Sequence, residues 1–400
     1  MPMLFASVCK RIDDMVQVNV RASIASLETY DVESIEAPII VNANESNAPL
    51  PEPILKILAE KLPSFAFNRY PQMQAEDLCA LIAKDFGCSA SDVIIGNGSS
   101  ELLRVACYVF GGSGKKIMVP VPSFSMYGEY VQLSDSETCT YRLTEDGYID
   151  KEALLAAVKK EQPALLIICN PNNPTGNYNS LRDIEDIVRQ IDCPVIIDEA
   201  YLEFAAGESA YQLLDKYEHI ICLKTFSKAY GLAGMRCGYG LGSSKLIAAM
   251  RKGILPYGVN AYTLLTAAAV YAHKELYKER ILQIKSMRDK MASALRDWGF
   301  YVYPAAANFV TFYAQGPLAD ELSRRYKQEY QRDLADSSMN SGKYLFEKFK
   351  ENGILVRDYS TNKNLHGALR VSVGLPEENE QILAVVKKLC EDVAGCGAAK

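Results

Sequence analysis

Residues 223–240 read LKTFSKAYGLAGMRCGYG, a stretch that places Lys228 between a serine and a glycine-bearing segment, eight residues before Arg236. The apolar run Ile220-Ile221-Cys222-Leu223 just ahead of it predicts a buried strand. Ser227, Lys228 and the glycines that follow predict the loop by which that strand exits. A lysine at the end of a buried strand stands where α/β proteins keep their chemistry.

Working outward, the same rhythm recurs. Val93-Ile94-Ile95 runs into Gly96-Asn97-Gly98-Ser99-Ser100 and a helical pattern. Ile117–Pro120 precedes PSFSMYGEY, Leu165–Cys169 precedes NPNNPTG, and PVIIDEAY places an acid at a strand end. Short apolar runs alternating with helices predict an α/β fold with a mostly parallel central sheet between helices. Residues 51–298 form this large domain, and an almost continuous helical pattern over 261–298 is expected to act as a spine. The last hundred residues change rhythm and predict a small α+β domain over 299–400, closed by a helix over 377–393. Residues 1–50 read as an N-terminal arm that contributes to the small domain. Within 316–341, Leu318, Leu322, Tyr326, Tyr330 and Leu334 make a stripe at i, i+4 spacing. It predicts an amphipathic helix packed on the small domain rather than a lid over the substrate, followed by a helix over 343–350.

Composition narrows the function. The formal charge of −6 over 400 residues offers no basic face for nucleic acid. Eleven scattered cysteines without a CxxC pair fit reduced thiols in a cytoplasmic protein. Three histidines (His219, His273 and His366) leave little for a metal site or a Ser-His hydrolase. No apolar run long enough to span a bilayer occurs, and the N-terminus does not read as a secretion signal. GGSGKK at 111–116 and GYGLGS at 238–243 resemble nucleotide loops but lack the residues those loops need.

The remaining polar residues make joint sense around a pyridine aldehyde bearing a phosphate. Such a cofactor needs an amine to join its aldehyde, an acid to keep its ring nitrogen protonated, donors to its phenolate oxygen and a phosphate cup. Lys228 supplies the amine and Asp198 the acid. Asn173 and Tyr201 can reach the phenolate, and Ser99, Ser100, Thr225, Ser227 and Arg236 can surround the phosphate. Singly, each has an ordinary structural explanation; together they do not.

The strings NANE (42–45), NRYP (68–71), GNGSSE (96–101), PSFSMY (122–127), NNPTG (172–176), DEAYLEF (198–204), TFSKAYGLAGMRCGY (225–239), PYGVN (256–260) and ALRVSVG (368–374) cover nearly the whole chain. In them the chain resembles fold-type I pyridoxal-phosphate aminotransferases, and among these the histidinol-phosphate aminotransferases. The resemblance implies pyridoxal 5'-phosphate joined to Lys228, its ring nitrogen on Asp198, its phenolate on Asn173 and Tyr201, and its ring against Phe124. It places the phosphate among Gly98, Ser99, Ser100, Thr225, Ser227 and Arg236, with Tyr70 from the other subunit of a homodimer. It assigns Arg370 to a substrate carboxylate, Arg357 to a substrate phosphate, and Asn44 to the substrate side. The implied reaction takes a small-molecule amino donor and a keto-acid acceptor, with no metal, nucleic acid or membrane. Another amino-acid aminotransferase, an O-phospho amino-acid decarboxylase and a non-catalytic cofactor binder stay open, as does an Arg357 that merely pairs with Asp358.

Overall fold

The computed structural model describes residues 19–27, 36–334 and 336–397, so the arm reading for 1–18 and 28–35 lies outside the described residues. Strands are numbered along the chain from β1 (Ile39–Ile40). The main sheet comprises β2 (Val93–Gly96), β3 (Lys116–Val121), β4 (Glu137–Arg142), β5 (Leu165–Cys169), β6 (Val195–Asp198), β7 (Ile220–Thr225) and β8 (Gly238–Gly242). They lie in the order β2-β8-β7-β6-β5-β3-β4. Only β8 opposes its neighbours; the pairs from β7 through β4 are parallel.

The central strands are apolar up to their C-terminal ends because both faces of the sheet are covered. Leu165, Ile167, Cys169, Ile196, Ile221 and Leu223 enter one core; Leu166, Ile168, Val195, Ile197, Ile220 and Cys222 enter the other. The register aligns Cys169 with Asp198 and Asp198 with Leu223, so Asp198 shares the face of Ile196 and Leu223. Lys224, one residue on, takes the opposite face. Side-chain caps at Asp150, Ser180, Ser243 and Asn260 start the helices that cover the sheet.

The expected spine over 261–298 is broken. One helix spans Ala261–Ala272, a 3₁₀ turn spans Lys274–Tyr277, and a second helix spans Lys278–Asp297. His273, at φ −124° and ψ 32°, leaves the helical region. The first helix packs on the helices Glu52–Lys61 and Glu76–Phe86, and the second on the small sheet and the closing helix. A single 3₁₀ turn keeps nearly helical spacing, so periodicity alone does not reveal the break.

The second sheet is antiparallel, in the order β12 (Arg357–Tyr359), β13 (Ala368–Ser372), β10 (Phe309–Ala314) and β9 (Phe300–Val302). β1 pairs in parallel with β11 (Ile354–Leu355), and the Ser372 N–H donates to the Val41 carbonyl at 2.9 Å. The segment near residue 40 is thereby bonded to strands more than 300 residues later. The closing helix runs Pro376–Gly397.

The helix Gly316–Tyr330 packs on the helix Ser337–Glu351, burying Leu322 and Tyr326 while Leu318 and Tyr330 are half-buried. It ends at Gln331, whose φ is 53°, so Leu334 lies beyond the helical stripe. Residues 337–341, the end of the 316–341 stretch, open the next helix, which starts six residues before the expected Lys343. The cause is polar burial: Asp336 caps Ser338, and Asn340 is buried with its side chain bonded to the backbone of Leu334 and to Asp333. Buried polar residues interrupt the apolar pattern that marks a helix start.

Candidate active site

A cavity of about 290 Å³ opens at the C-terminal ends of β5, β6 and β7. Of the residues named from the sequence, Asn44, Ser99, Ser100, Phe124, Asn173, Asp198, Tyr201, Thr225, Ser227, Lys228, Arg236, Arg357 and Arg370 all line it. The parallel strands end together, so loops from different parts of the chain converge on one crevice.

Asp198 is buried at the tip of β6. Its carboxylate accepts the Tyr127 hydroxyl at 2.8 Å and the Ala200 N–H at 3.2 Å. Burial pushes its carboxyl up to about 6, against the lowering effect of those two donors. Among the described residues no cation pairs with it. Tyr127 and Tyr359 are site residues that the sequence left unassigned; Tyr127 lies in the first turn of the helix Met126–Leu133, just after Phe124, and the two rings meet edge-on at 5.4 Å.

Lys228 is half-buried and donates from Nζ to the Ala43 carbonyl at 2.9 Å. Burial first, then the positive charge of Arg370, pushes its amine down to about 8, with Glu45 opposing and Arg236 adding to the fall. The amine is thus held by an acceptor and carries a neutral fraction near physiological pH.

On the far side, the helix Ser99–Phe110 points its N-terminus at the cavity with no side-chain cap on its first N–H groups. The Arg236 guanidinium lies over the same loop, bonding Ser227 Oγ at 3.4 Å. Gly98 stands behind the lining rather than in it: its φ is 79°, and a Cβ there would sit 2.7 Å from Arg236 Nη2. Gly238 is required in the same way, because a Cβ on it would come within 2.3 Å of the Ser99 nitrogen. Thr225 receives the Ser227 N–H at 3.1 Å. Free helix N–H groups, four hydroxyls (Ser99, Ser100, Thr225 and Ser227) and a guanidinium are the donors that a phosphate needs.

Arg370 is buried and spans the cavity wall. It donates to Asn173 Oδ1, to the Asn42 carbonyl at 2.7 Å and to the Tyr359 hydroxyl at 3.3 Å, and among the described residues its Nε has no partner. Arg357 is its directly opposed residue across β12 and β13, so the thirteen-residue spacing in sequence becomes side-by-side placement on one face. Asp358 does not pair with Arg357. Strand alternation turns it away, and its carboxylate takes Lys343 at 3.0 Å. Among the described residues neither arginine has a carboxylate partner.

Tyr70 lies outside this cavity, 83% exposed and stacked on Tyr257 at 4.7 Å. Beneath the site, on the opposite face of the sheet, Lys224 is buried against Glu199 at 3.3 Å and Glu203 at 3.5 Å. Glu199 is anchored further by Ser209 and the Ala210 N–H, and the two acids hold the Lys224 ammonium above the ordinary lysine range despite its burial.

The model of the family described as aminotransferase class I and II matches residues 39–386. A histidinol-phosphate aminotransferase of Thermoanaerobacter sp. (strain X514) is 32% identical over 376 residues, covering 94% of this chain and 99% of that protein. One of Chlorobaculum tepidum is 31% identical, covering 91% and 98%. The crystal structure of histidinol-phosphate aminotransferase from Sinorhizobium meliloti, in complex with pyridoxal-5'-phosphate, superposes with a TM-score of 0.81 at 24% identity over 95% of this chain and 100% of that one. The family model covers most of the chain and the relatives align nearly end to end, so the chain belongs to the class I and II aminotransferases.

Proposed function

We propose that this protein is a pyridoxal-phosphate-dependent transaminase that carries the amino group of histidinol phosphate to 2-oxoglutarate, and that it works as a cytoplasmic homodimer. The observation that carries the substrate class is the pair Arg357 and Arg370, opposed across β12 and β13, lining the cavity of Lys228 and free of carboxylate partners among the described residues. Two unneutralised guanidinium groups side by side suit a phosphate in one half-reaction and the carboxylates of a keto acid in the other. The near full-length likeness to histidinol-phosphate aminotransferases supports that donor.

The residues present fit the cofactor. A buried carboxylate without a cation suits a protonated ring nitrogen, and the cup at Ser99, Ser100, Thr225, Ser227 and Arg236 suits its phosphate. Pyridoxal phosphate bound there would supply an electron sink for charge developing at the amino-bearing carbon of the substrate. Asp198 would keep the ring nitrogen protonated, and the ring's charge would in turn draw the carboxyl back below about 6. Asn173 and Tyr201 would donate to the phenolate oxygen, and Phe124 would pack on the ring face. Lys228 Nζ, with its lowered affinity for protons, would take the proton from the substrate's amino-bearing carbon and hold it for return later in the same half-reaction. Arg370 and Arg357 would hold the anionic ends so that this bond stands over the lysine. Because donor and acceptor use one site in turn, ping-pong kinetics are expected.

A substrate panel with purified enzyme tests the reading. Turnover of histidinol phosphate with 2-oxoglutarate is expected. Failure with that donor alongside good turnover of phenylalanine would overturn the donor assignment, and CO2 release without any keto acid would replace transamination by decarboxylation.

A further inference from the structure

The segment Asn42-Ala43-Asn44 touches a different functional group with each successive residue. The Asn42 carbonyl holds Arg370, the Ala43 carbonyl holds Lys228, and Asn44 Nδ2 donates to the Tyr201 hydroxyl at 3.0 Å. Asn44 is almost fully buried and sits at φ 56°, a conformation asparagine tolerates better than most residues. Its side chain bonds Tyr201 on one side and Ser372 on the other.

The direction of the Asn44 amide is determined by its other neighbour. Ser372 Oγ accepts the Asn44 N–H at 2.9 Å and donates to Asn44 Oδ1 at 3.0 Å. Ser372 is buried, and among the described residues its proton has no other acceptor. Turning the amide over would set Nδ2 against the serine and leave that hydroxyl proton unpaired, at a cost of about 1–3 kcal/mol. With the amide held this way round, Asn44 gives a hydrogen to Tyr201 and cannot take one. Among the described residues the Tyr201 proton meets no acceptor, so it is left for whatever occupies the cavity that Tyr201 lines.

We infer that Asn44 is a positioning residue: oriented by Ser372, it occupies the acceptor side of the Tyr201 hydroxyl and so aims the tyrosine's proton at the phenolate oxygen of the cofactor. This rests on the cofactor reading given above. It ties β1 and β13 of the small unit to the electronics of a group held by the large sheet.

The test is the pH titration of the visible absorbance of the cofactor-loaded protein, which reports proton affinity at the bound group independently of turnover. Asn44→Asp keeps the shape but leaves only acceptors beside Tyr201, which would then donate to the carboxylate. Loss of one donor to the phenolate is expected to move the titration midpoint up by about one pH unit, the equivalent of one hydrogen bond. Tyr201→Phe removes the same donor, so adding Asn44→Asp to it is expected to change little further. Ser372→Ala, which introduces no charge and frees the amide to turn, is expected to shift the midpoint the same way by a smaller amount. An unchanged midpoint in both Asn44→Asp and Ser372→Ala, or an Asn44→Asp shift that persists in full in Tyr201→Phe, would overturn the inference. Absence of any cofactor absorbance in the unaltered protein would instead overturn the cofactor reading on which it rests.

Discussion

With burial holding the folded Asp198 carboxyl at about 6 and its ordinary value at 3.8, the folded chain binds the proton more tightly between those values. Stability of the cofactor-free protein therefore falls as pH rises through that window, and the cost is complete above about 6. Lys228 works in the other sense. Its amine is at about 8 when folded and 10.5 ordinarily, so the unfolded chain binds the extra proton between the two and stability rises with pH there. Near neutral pH both costs are present. Asp198→Asn is accordingly expected to stabilise the cofactor-free protein by about 3 kcal/mol at pH 7.5 and by well under 1 kcal/mol at pH 4. Its amide can serve both the Ala200 N–H and the Tyr127 hydroxyl. Thermal melts at the two pH values check this, and equal shifts at both would show that the buried charge is not the cause. Arg357→Ala is expected to lower kcat/KM for the phosphorylated donor by about 10²-fold, the worth of a charge-assisted bond pair, while cofactor absorbance is retained. A drop of less than threefold would remove Arg357 from the substrate.

At the scale of elements, the proposed phosphate cup depends on backbone approach. Gly98→Ala places a Cβ 2.7 Å from Arg236 Nη2 at a φ of 79°, so the guanidinium must move. Cofactor affinity is expected to fall about tenfold or more, from a strain of about 1–3 kcal/mol, and an equilibrium titration of the cofactor measures it. The helix Gly316–Tyr330 makes a contrasting case. None of its residues lines the cavity, and Tyr326 is 2% exposed. Tyr326→Ala is expected to cost about 3–5 kcal/mol of stability by emptying that packed site, with KM for both substrates changed less than twofold. A large KM change at unchanged stability would point to a lid instead. Periodicity made this helix legible up to Tyr330 because Leu318, Leu322 and Tyr326 keep helical spacing. It failed beyond, where Gln331 turns left-handed and buried Asn340 carries the next helix start.

For the whole molecule, Tyr70 is the residue that tests assembly. It lies outside its own chain's cavity at 83% exposure, in company with exposed Phe67, Met73, Leu255 and Tyr257. If Tyr70 completes the site of a second copy, chains carrying Lys228→Ala and chains carrying Tyr70→Ala, each weak alone, are expected to regain about a quarter of full activity when refolded together. Half the dimers would then be mixed, each with one intact site. Activity no higher than the sum of the separate variants would place Tyr70 outside the site.

Local chemistry in the sequence determined the class of fold and pointed to the lysine, the acid and a candidate phosphate loop, and hence to the cofactor expected, because strand-end motifs such as DEAY and TFSKAYG carry their geometry in adjacent residues. Pairings between distant residues were decided only by the tertiary structure. The register of β12 on β13 sets Arg357 beside Arg370, the join of β1 to β11 brings Asn44 to Tyr201, and the packing of the helix Met126–Leu133 sets Tyr127 on Asp198. The buried lysine of β7 belongs with these: Lys224 is tolerable only because Glu199 and Glu203 meet it from another strand's exit. A chain's own periodicity reports which face a residue takes. Which partner waits on that face depends on strand order and register, and these are determined by the packing of the whole core.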